Sequence, residues 1–271
     1  ATSRNKVVLV TAGTAWELTG RFCSPTTIHW ADDTNALGVG TAKAVLKSGG
    51  RNWFFITVDF VFGHSMEQAA SEAIRAAGGA VLGHALTPLN TADYSSPLLA
   101  ARASGAQMVG LVEVGSDFIN VVKQASEFGL VASGQKMVGF LVYLSDIHSL
   151  GLAAAHGLLV TESFYWDRND ETRAFAKRFM ARRHVMPTKA HAANYAAAIH
   201  YLNAIKATGS TDSATTMAWM KSHKADYFGQ EVRIREDGRA MFDLDLYEVK
   251  SPGESRYPWD YYKKVGSLSA E

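Results

Sequence analysis

The strongest constraint on this chain is the regular alternation of strand-length apolar runs with helix-length amphipathic segments. Lys6–Thr11 is a β-branched apolar run that ends in Ala12-Gly13. Ala36–Lys47 keeps helical spacing and stops at Gly49-Gly50, a pair suited to ending a helix. Trp53–Val58 is continuously apolar, as a strand buried on both faces must be. Ser65–Ala77 follows as a helix, with Ser65 and Gln68 spaced for a capping box. Further strands are expected at Val81–Leu86, Gln107–Val112, Lys136–Tyr143 and Leu158–Glu162. Helices should open at Ser96-Pro97 and cover Asp117–Phe128. Alternation of this kind predicts an α/β fold, a parallel sheet covered by helices. After Asp170 the character changes. Glu171–Arg183, Lys189–Ala207 and Asp212–Ser222 read as helices, and Glu231–Arg235 and Met241–Val249 as a hairpin turning at Glu236-Asp237-Gly238-Arg239.

The length of 271 residues, 47% of them hydrophobic, suffices for one large domain or two medium lobes. With 27 Lys+Arg against 26 Asp+Glu the net charge is +1, which leaves no basic footprint for nucleic acid. No apolar run approaches the roughly 18 residues of a membrane span, and Ala1-Thr2-Ser3-Arg4 is not a signal peptide. Cys23 is the single cysteine. It lacks a nucleophile pattern despite His29 nearby, and is expected to be a buried thiol or half of a disulfide.

Chemical motifs are sparse. There is no Walker sequence, no strand followed by GxGxxG, no GxSxG elbow and no HExxH. Gly38–Ala44 (GVGTAKA) lies inside a helix pattern. His148, His156, His184, His191 and His200 do not fall on adjacent helical turns, so no metal site is expected. Asp146 and His148 are two apart, a spacing better suited to capping the next helix than to acid–base work. Asp170 is expected to cap the helix that follows it. No catalytic residue and no cofactor is expected.

Parallel sheets bind ligands beyond the carboxyl ends of their strands. The residues to inspect are therefore Gly13-Thr14-Ala15-Trp16, Asp59-Phe60-Val61-Phe62, Glu113-Val114-Gly115-Ser116, Leu144-Ser145-Asp146 and Phe164-Tyr165-Trp166. Three of these stretches carry large aromatics, which suggests a pocket with an aromatic lining.

With those residues in view, the chain resembles the type I periplasmic solute-binding proteins of ABC transporters. Within them it is similar to the branched-chain amino-acid-binding group and its branch for aromatic acids. The resemblance is carried, in family order, by WFFITVDFVFGHSMEQAA, AAGGAVLGHALTPLNTADYSSPLLAARASGAQMVGL, VVKQASEFGL, TESFYWDRNDETRAFAKRF, HAANYAAAIHYLNAIKA and IREDGRAMFDLDLYEVK. It implies two Rossmann-like lobes with parallel sheets, joined by three crossing strands. Ligand binds in the interlobe cleft, closure is a hinge motion, and the closed form docks on a membrane permease without catalysis.

Carried over by position, TAGTA implies that Gly13, Thr14 and Ala15 grip a ligand carboxylate through N–H groups and a hydroxyl, with Trp16 beside them. Phe62 stands for an aromatic packed over the ligand. Glu113, Val114 and Gly115 stand where the second lobe touches it, and Tyr165 and Trp166 lie on a crossing strand near the cleft.

Two departures matter. Amino-acid binders of this family place a glutamate after the strand that corresponds to Lys136–Phe140, to pair the ligand's ammonium. Here the stretch is Phe140-Leu141-Val142-Tyr143, and a buried ammonium without a partner costs several kcal/mol. A carboxylate with an apolar or aromatic body therefore fits better, unless Glu113 or Asp146 substitutes. Relatives also carry roughly a hundred more residues ahead of KVVLVTAGTA, judged from lobe size. The N-terminal lobe is thus expected to be incomplete and open to self-association.

The expected division is lobe one at residues 1–32, 161–228 and 251–271, and lobe two at 33–160 and 229–250. The expected protein is a periplasmic receptor that feeds an ABC importer. A ligand-sensing regulatory domain of the same fold is the alternative, and an α/β enzyme using Asp146, His148 or Glu113 a more distant one.

Overall fold

A computed structural model describes residues 4–270. The chain divides into two compact units. Unit 1 is Ala1–Asp33, Ser163–Leu244 and Ser269–Glu271; unit 2 is Thr34–Glu162 and Asp245–Leu268.

Strands β1 (Val8–Val10) and β2 (Thr27–His29) open the chain, followed by α1 (Thr34–Lys47), β3 (Asn52–Val58), α2 (Val61–Ala76) and β4 (Ala80–Thr87). Then come α3 (Ser95–Ala103), β5 (Met108–Val112), α4 (Gly115–Glu127), β6 (Lys136–Gly139), α5 (Leu144–Leu150), α6 (Leu152–Ala155) and β7 (Leu159–Glu162). Helices α7 (Asp170–Arg183), α8 (Lys189–Thr208) and α9 (Ser213–Ser222) precede β8 (Ala225–Tyr227), β9 (Gln230–Ile234), β10 (Ala240–Met241), β11 (Leu244–Val249) and β12 (Tyr262–Leu268).

Unit 2 is built on a seven-stranded sheet of order β12-β11-β7-β6-β5-β3-β4. From β4 to β7 the pairings are parallel, whereas β11 runs antiparallel to β7. Trp53 and Phe55 on β3 stack at 5.9 Å, and Phe140 packs on Phe55 at 5.8 Å. Gly110 on β5 makes room for them, because a Cβ there would lie 2.6 Å from the Phe55 ring. Burying such aromatics supplies about 3 kcal/mol each at the upper end of the usual range.

Unit 1 holds the parallel pair β1-β2, the antiparallel ribbon β10-β9-β8 and helices α7 to α9. Phe164 packs edge-on against Phe175 and Phe228 at 5.9 and 5.1 Å. That contact explains one member of the Phe164-Tyr165-Trp166 run as core. His200 is buried too; its ring nitrogen Nε2 donates to the Met220 carbonyl at 3.0 Å.

Several expectations are corrected. Helix α2 begins at Val61, so Ser65 lies within it and no capping box forms there; Phe60 is the N-cap and makes no side-chain cap bond. Gly63 permits the early start, since a Cβ at this position would sit 2.0 Å from the Val58 carbonyl oxygen. Strand β6 stops at Gly139. Tyr143 then caps α5, its N–H donating to Asp146 Oδ2 at 2.9 Å.

Asn169, rather than Asp170, caps α7 by accepting from the Thr172 N–H at 2.8 Å. The expected hairpin is short: Ala240 and Met241 pair with Ile234 and Arg233, and Leu244–Val249 leaves to join β7. That departure places β9 and β10 in unit 1 and β12 in unit 2, unlike the expected assignment of residues 229–250 and 251–271. Cys23 is exposed rather than buried.

Candidate functional site

In unit 1, β1 and β2 run parallel with Val10 opposite His29, and the loop beyond β1 is Thr11–Ala15. His29 is buried, and its Nε2–H donates to the Gly13 carbonyl at 2.6 Å. Burial, followed by the nearby Arg239 charge, lowers its pKa. The ring is therefore neutral at pH 7, and the carbonyl acceptor fixes the proton on Nε2. This contact pins the loop from its carbonyl side. The N–H groups of Gly13, Thr14 and Ala15 make no hydrogen bond to any described residue. Gly13 and Ala15 are exposed and Thr14 half-buried. A loop beyond the carboxyl end of a parallel strand, with donors still unengaged, can accept a carboxylate.

Just past β2 lie four charged side chains that the sequence reading does not single out. Lys189 Nζ stands 3.4 Å from Asp32 Oδ2, and Arg239 Nε stands 3.3 Å from Asp33 Oδ2. All four are buried. Arg239 also donates to the Ala31 carbonyl and lies over the Phe242 ring at 5.6 Å. The visible signal was Asp32-Asp33 after a short apolar strand, but β2 is too brief to show a period-two pattern.

In unit 2 the corresponding sheet edge carries the other expected positions. Asp59 pairs with His64 at 2.8 Å, and Phe60 stacks on Phe62 at 5.7 Å. Phe62 is partly buried against the core. Glu113, next after β5, is fully buried; it accepts from the Thr87 hydroxyl at 2.6 Å and the Tyr94 hydroxyl at 3.3 Å.

Burial pushes the Glu113 pKa up to about 7, with the Asp117 charge adding to the rise. Burial and the Glu113 charge likewise raise the Tyr94 phenol. Val114 is the N-cap of α4, and Gly115 begins that helix with φ +55°. Asp146 is engaged in capping α5. His148 stacks on Trp259 at 3.8 Å and bonds the Tyr261 hydroxyl at 2.7 Å, so the two do not form an acid–base pair.

The structure therefore places Gly13, Thr14, Ala15 and the exposed Trp16 on one loop of unit 1, and Tyr165 and the half-buried Trp166 after β7 in the same unit. Phe62, Glu113, Val114 and Gly115 belong to unit 2. An open groove of about 550 Å³ on unit 1, lined by Tyr195, Ile199, Trp219 and Phe228 among others, contains none of these residues. Its walls are mainly faces of α7, α8 and α9. Among the described residues no group of three or more His, Cys, Asp or Glu side chains could hold a metal ion, and no helix is long and apolar enough to cross a membrane.

The periplasmic binding protein family model matches residues 1–254. A periplasmic binding protein from Burkholderia mallei is 42% identical over 100% of this chain and 72% of its own, with a TM-score of 0.91. A branched chain amino acid ABC transporter periplasmic ligand-binding protein from Burkholderia xenovorans is 35% identical over 99% of this chain and 72% of its own, with a TM-score of 0.94. A solute binding protein from Rhodopseudomonas palustris solved with benzoate shares the fold at 18% identity, with a TM-score of 0.86 over 99% of this chain and 72% of its own. No curated protein matches. On the family match and the two Burkholderia structures, this chain belongs to the periplasmic binding protein family, of the type that serves ABC transporters.

Proposed function

We propose that this chain is a periplasmic receptor for a small carboxylate with an aromatic or apolar body, which it hands to the permease of an ABC importer. The observation that carries the reading is the loop Gly13–Ala15. Its carbonyl side is held by His29 while its N–H groups remain available to an anion. Thr14 adds a hydroxyl, and Trp16 an exposed indole. In unit 1 we assign Tyr165 and Trp166 to the ligand's body.

The ligand we infer lacks an ammonium group. Both candidate counter-charges are occupied, Glu113 by two hydroxyl donors and Asp146 by the Tyr143 N–H. A Glu113 carboxyl that titrates near 7 is a weak partner for a cation. Fold neighbours solved with benzoate, 3,4-dihydroxybenzoic acid and p-hydroxybenzoic acid point to the same class.

The test removes one N–H at a position whose φ suits proline. Ala15 has φ −64°, which proline adopts without strain. Ala15→Pro is expected to weaken benzoate binding by about 10- to 100-fold in calorimetry, the worth of one charge-assisted hydrogen bond. Unchanged affinity in a folded Ala15→Pro protein would exclude this loop as the carboxylate grip.

A further inference from the structure

Helix α8 leaves Tyr195, Ile199 and Leu202 exposed by 39, 41 and 56%. They fall at i, i+4 and i+7, so they form one stripe along the helix. The opposite face, with Ala192, Ala196 and His200, is the one buried in unit 1. A lone exposed apolar side chain is ordinary, whereas a stripe of three marks an interaction surface. Tyr195 and Ile199 also wall the groove of about 550 Å³.

Helix α7 forms the facing wall. Glu171, Ala174 and Arg178 lie at i, i+3 and i+7 on it, and all three are exposed and line the groove. The Glu171 carboxylate makes no hydrogen bond or ion pair with any described residue. Arg178 faces no carboxylate among the described residues. Its guanidinium lies 5.7 Å above the Tyr195 ring and donates to the Tyr195 hydroxyl at 3.4 Å. Arg173, by contrast, is answered within the helix by Asp170 at 2.7 Å. One unanswered negative charge and one unanswered positive charge therefore stand about 10 Å apart along the axis, two helical turns, with only a methyl side chain between them.

This arrangement is self-complementary. A two-fold axis passing beside Ala174 carries the position of Glu171 onto that of Arg178 and the reverse. A uniformly acidic partner would oppose Glu171, and a uniformly basic one would oppose Arg178. A second copy of the chain, crossing antiparallel, answers both charges at once.

We propose that this face of unit 1 is the interface of a symmetric dimer, in which α7 of one copy crosses α7 of the other antiparallel at Ala174. Glu171 of each copy then meets Arg178 of the other, a contact made twice. The small side chain of Ala174 lets the two helix axes approach to about 8 Å. The α8 stripes, removed from water on either side of the crossing, supply the driving force. The charge pairs at the rim add little affinity and set the orientation instead.

Sedimentation velocity over a concentration series reaching about 0.1 mM, which detects micromolar dissociation constants, tests this. The wild-type chain should dimerise. Glu171→Arg and Arg178→Glu should each raise the dissociation constant by about tenfold or more, because each reversal places like charges opposite one another twice per dimer. The double reversal Glu171→Arg/Arg178→Glu should return it to within about threefold of wild type, an outcome that a merely local disturbance of α7 would not produce. Should a reversal unfold the chain, Ala174→Gln, which puts a longer side chain on the axis, is read in its place and should weaken association likewise. A wild-type chain that stays monomeric throughout the series overturns the proposal. So does a dimer indifferent to the single reversals, or one that the double reversal fails to restore in a folded protein.

Discussion

Arg239→Met is expected to lower the free energy of unfolding by about 3 kcal/mol, the loss found when one member of a buried ion pair is removed. Arg239 is 6% exposed and faces Asp33 at 3.3 Å, and its guanidinium donates to the Ala31 carbonyl. Methionine keeps much of the packing of the arginine stem against Phe242, so the loss reports on charge and hydrogen bonding rather than on a cavity. Urea denaturation of the variant gives the value, and Asp33→Asn/Arg239→Met should recover part of it. A single-variant loss under about 0.5 kcal/mol, the scale of an ordinary surface substitution, would mean the pair contributes little.

Glu113→Gln is expected to flatten the pH dependence of stability. The native carboxyl titrates near 7, whereas an ordinary glutamate titrates near 4.5. Between those values the folded state holds a proton that the unfolded state has released. Stability from this group is therefore full below about pH 4.5 and is lost as the pH rises through about 7, by up to roughly 3 kcal/mol. Glutamine carries no titrating proton and keeps an acceptor for the Thr87 hydroxyl. Urea midpoints at pH 5 and pH 8 should converge in the variant relative to wild type. Equal pH slopes in the two proteins would show that Glu113 titrates normally.

What the sequence reveals depends on element length. Trp53–Val58 and the long helices α7 and α8 announce themselves by apolar runs and period, and the structure places them within a residue or two of the expected bounds. Short elements do not. β2 has three residues and β10 two, too few for any pattern.

Tertiary contact also overrides local chemistry. Gly63 against the Val58 carbonyl sets the start of α2, although Ser65-x-x-Gln68 offers a capping signal further on. The loop Gly13–Ala15 was legible because it follows a β-branched run. The pairing of Asp32 with Lys189 was not, since the two are far apart in sequence and meet only in the fold. For the same reason nothing in the sequence marks Glu113 as buried, while the structure packs it against the hydroxyls of Thr87 and Tyr94.

The central claim is that the receptor takes a carboxylate and has no place for an ammonium. A thermal-shift comparison of benzoate, 4-hydroxybenzoate, phenylalanine and leucine tests it most directly. A ligand present at a hundred times its dissociation constant adds about 2.7 kcal/mol to stability, a clear rise in melting temperature. That rise is expected for the aromatic acids and not for the two amino acids. Stabilisation by leucine or phenylalanine without any by the acids would contradict it, and would mean that a carboxylate of this chain pairs an ammonium after all.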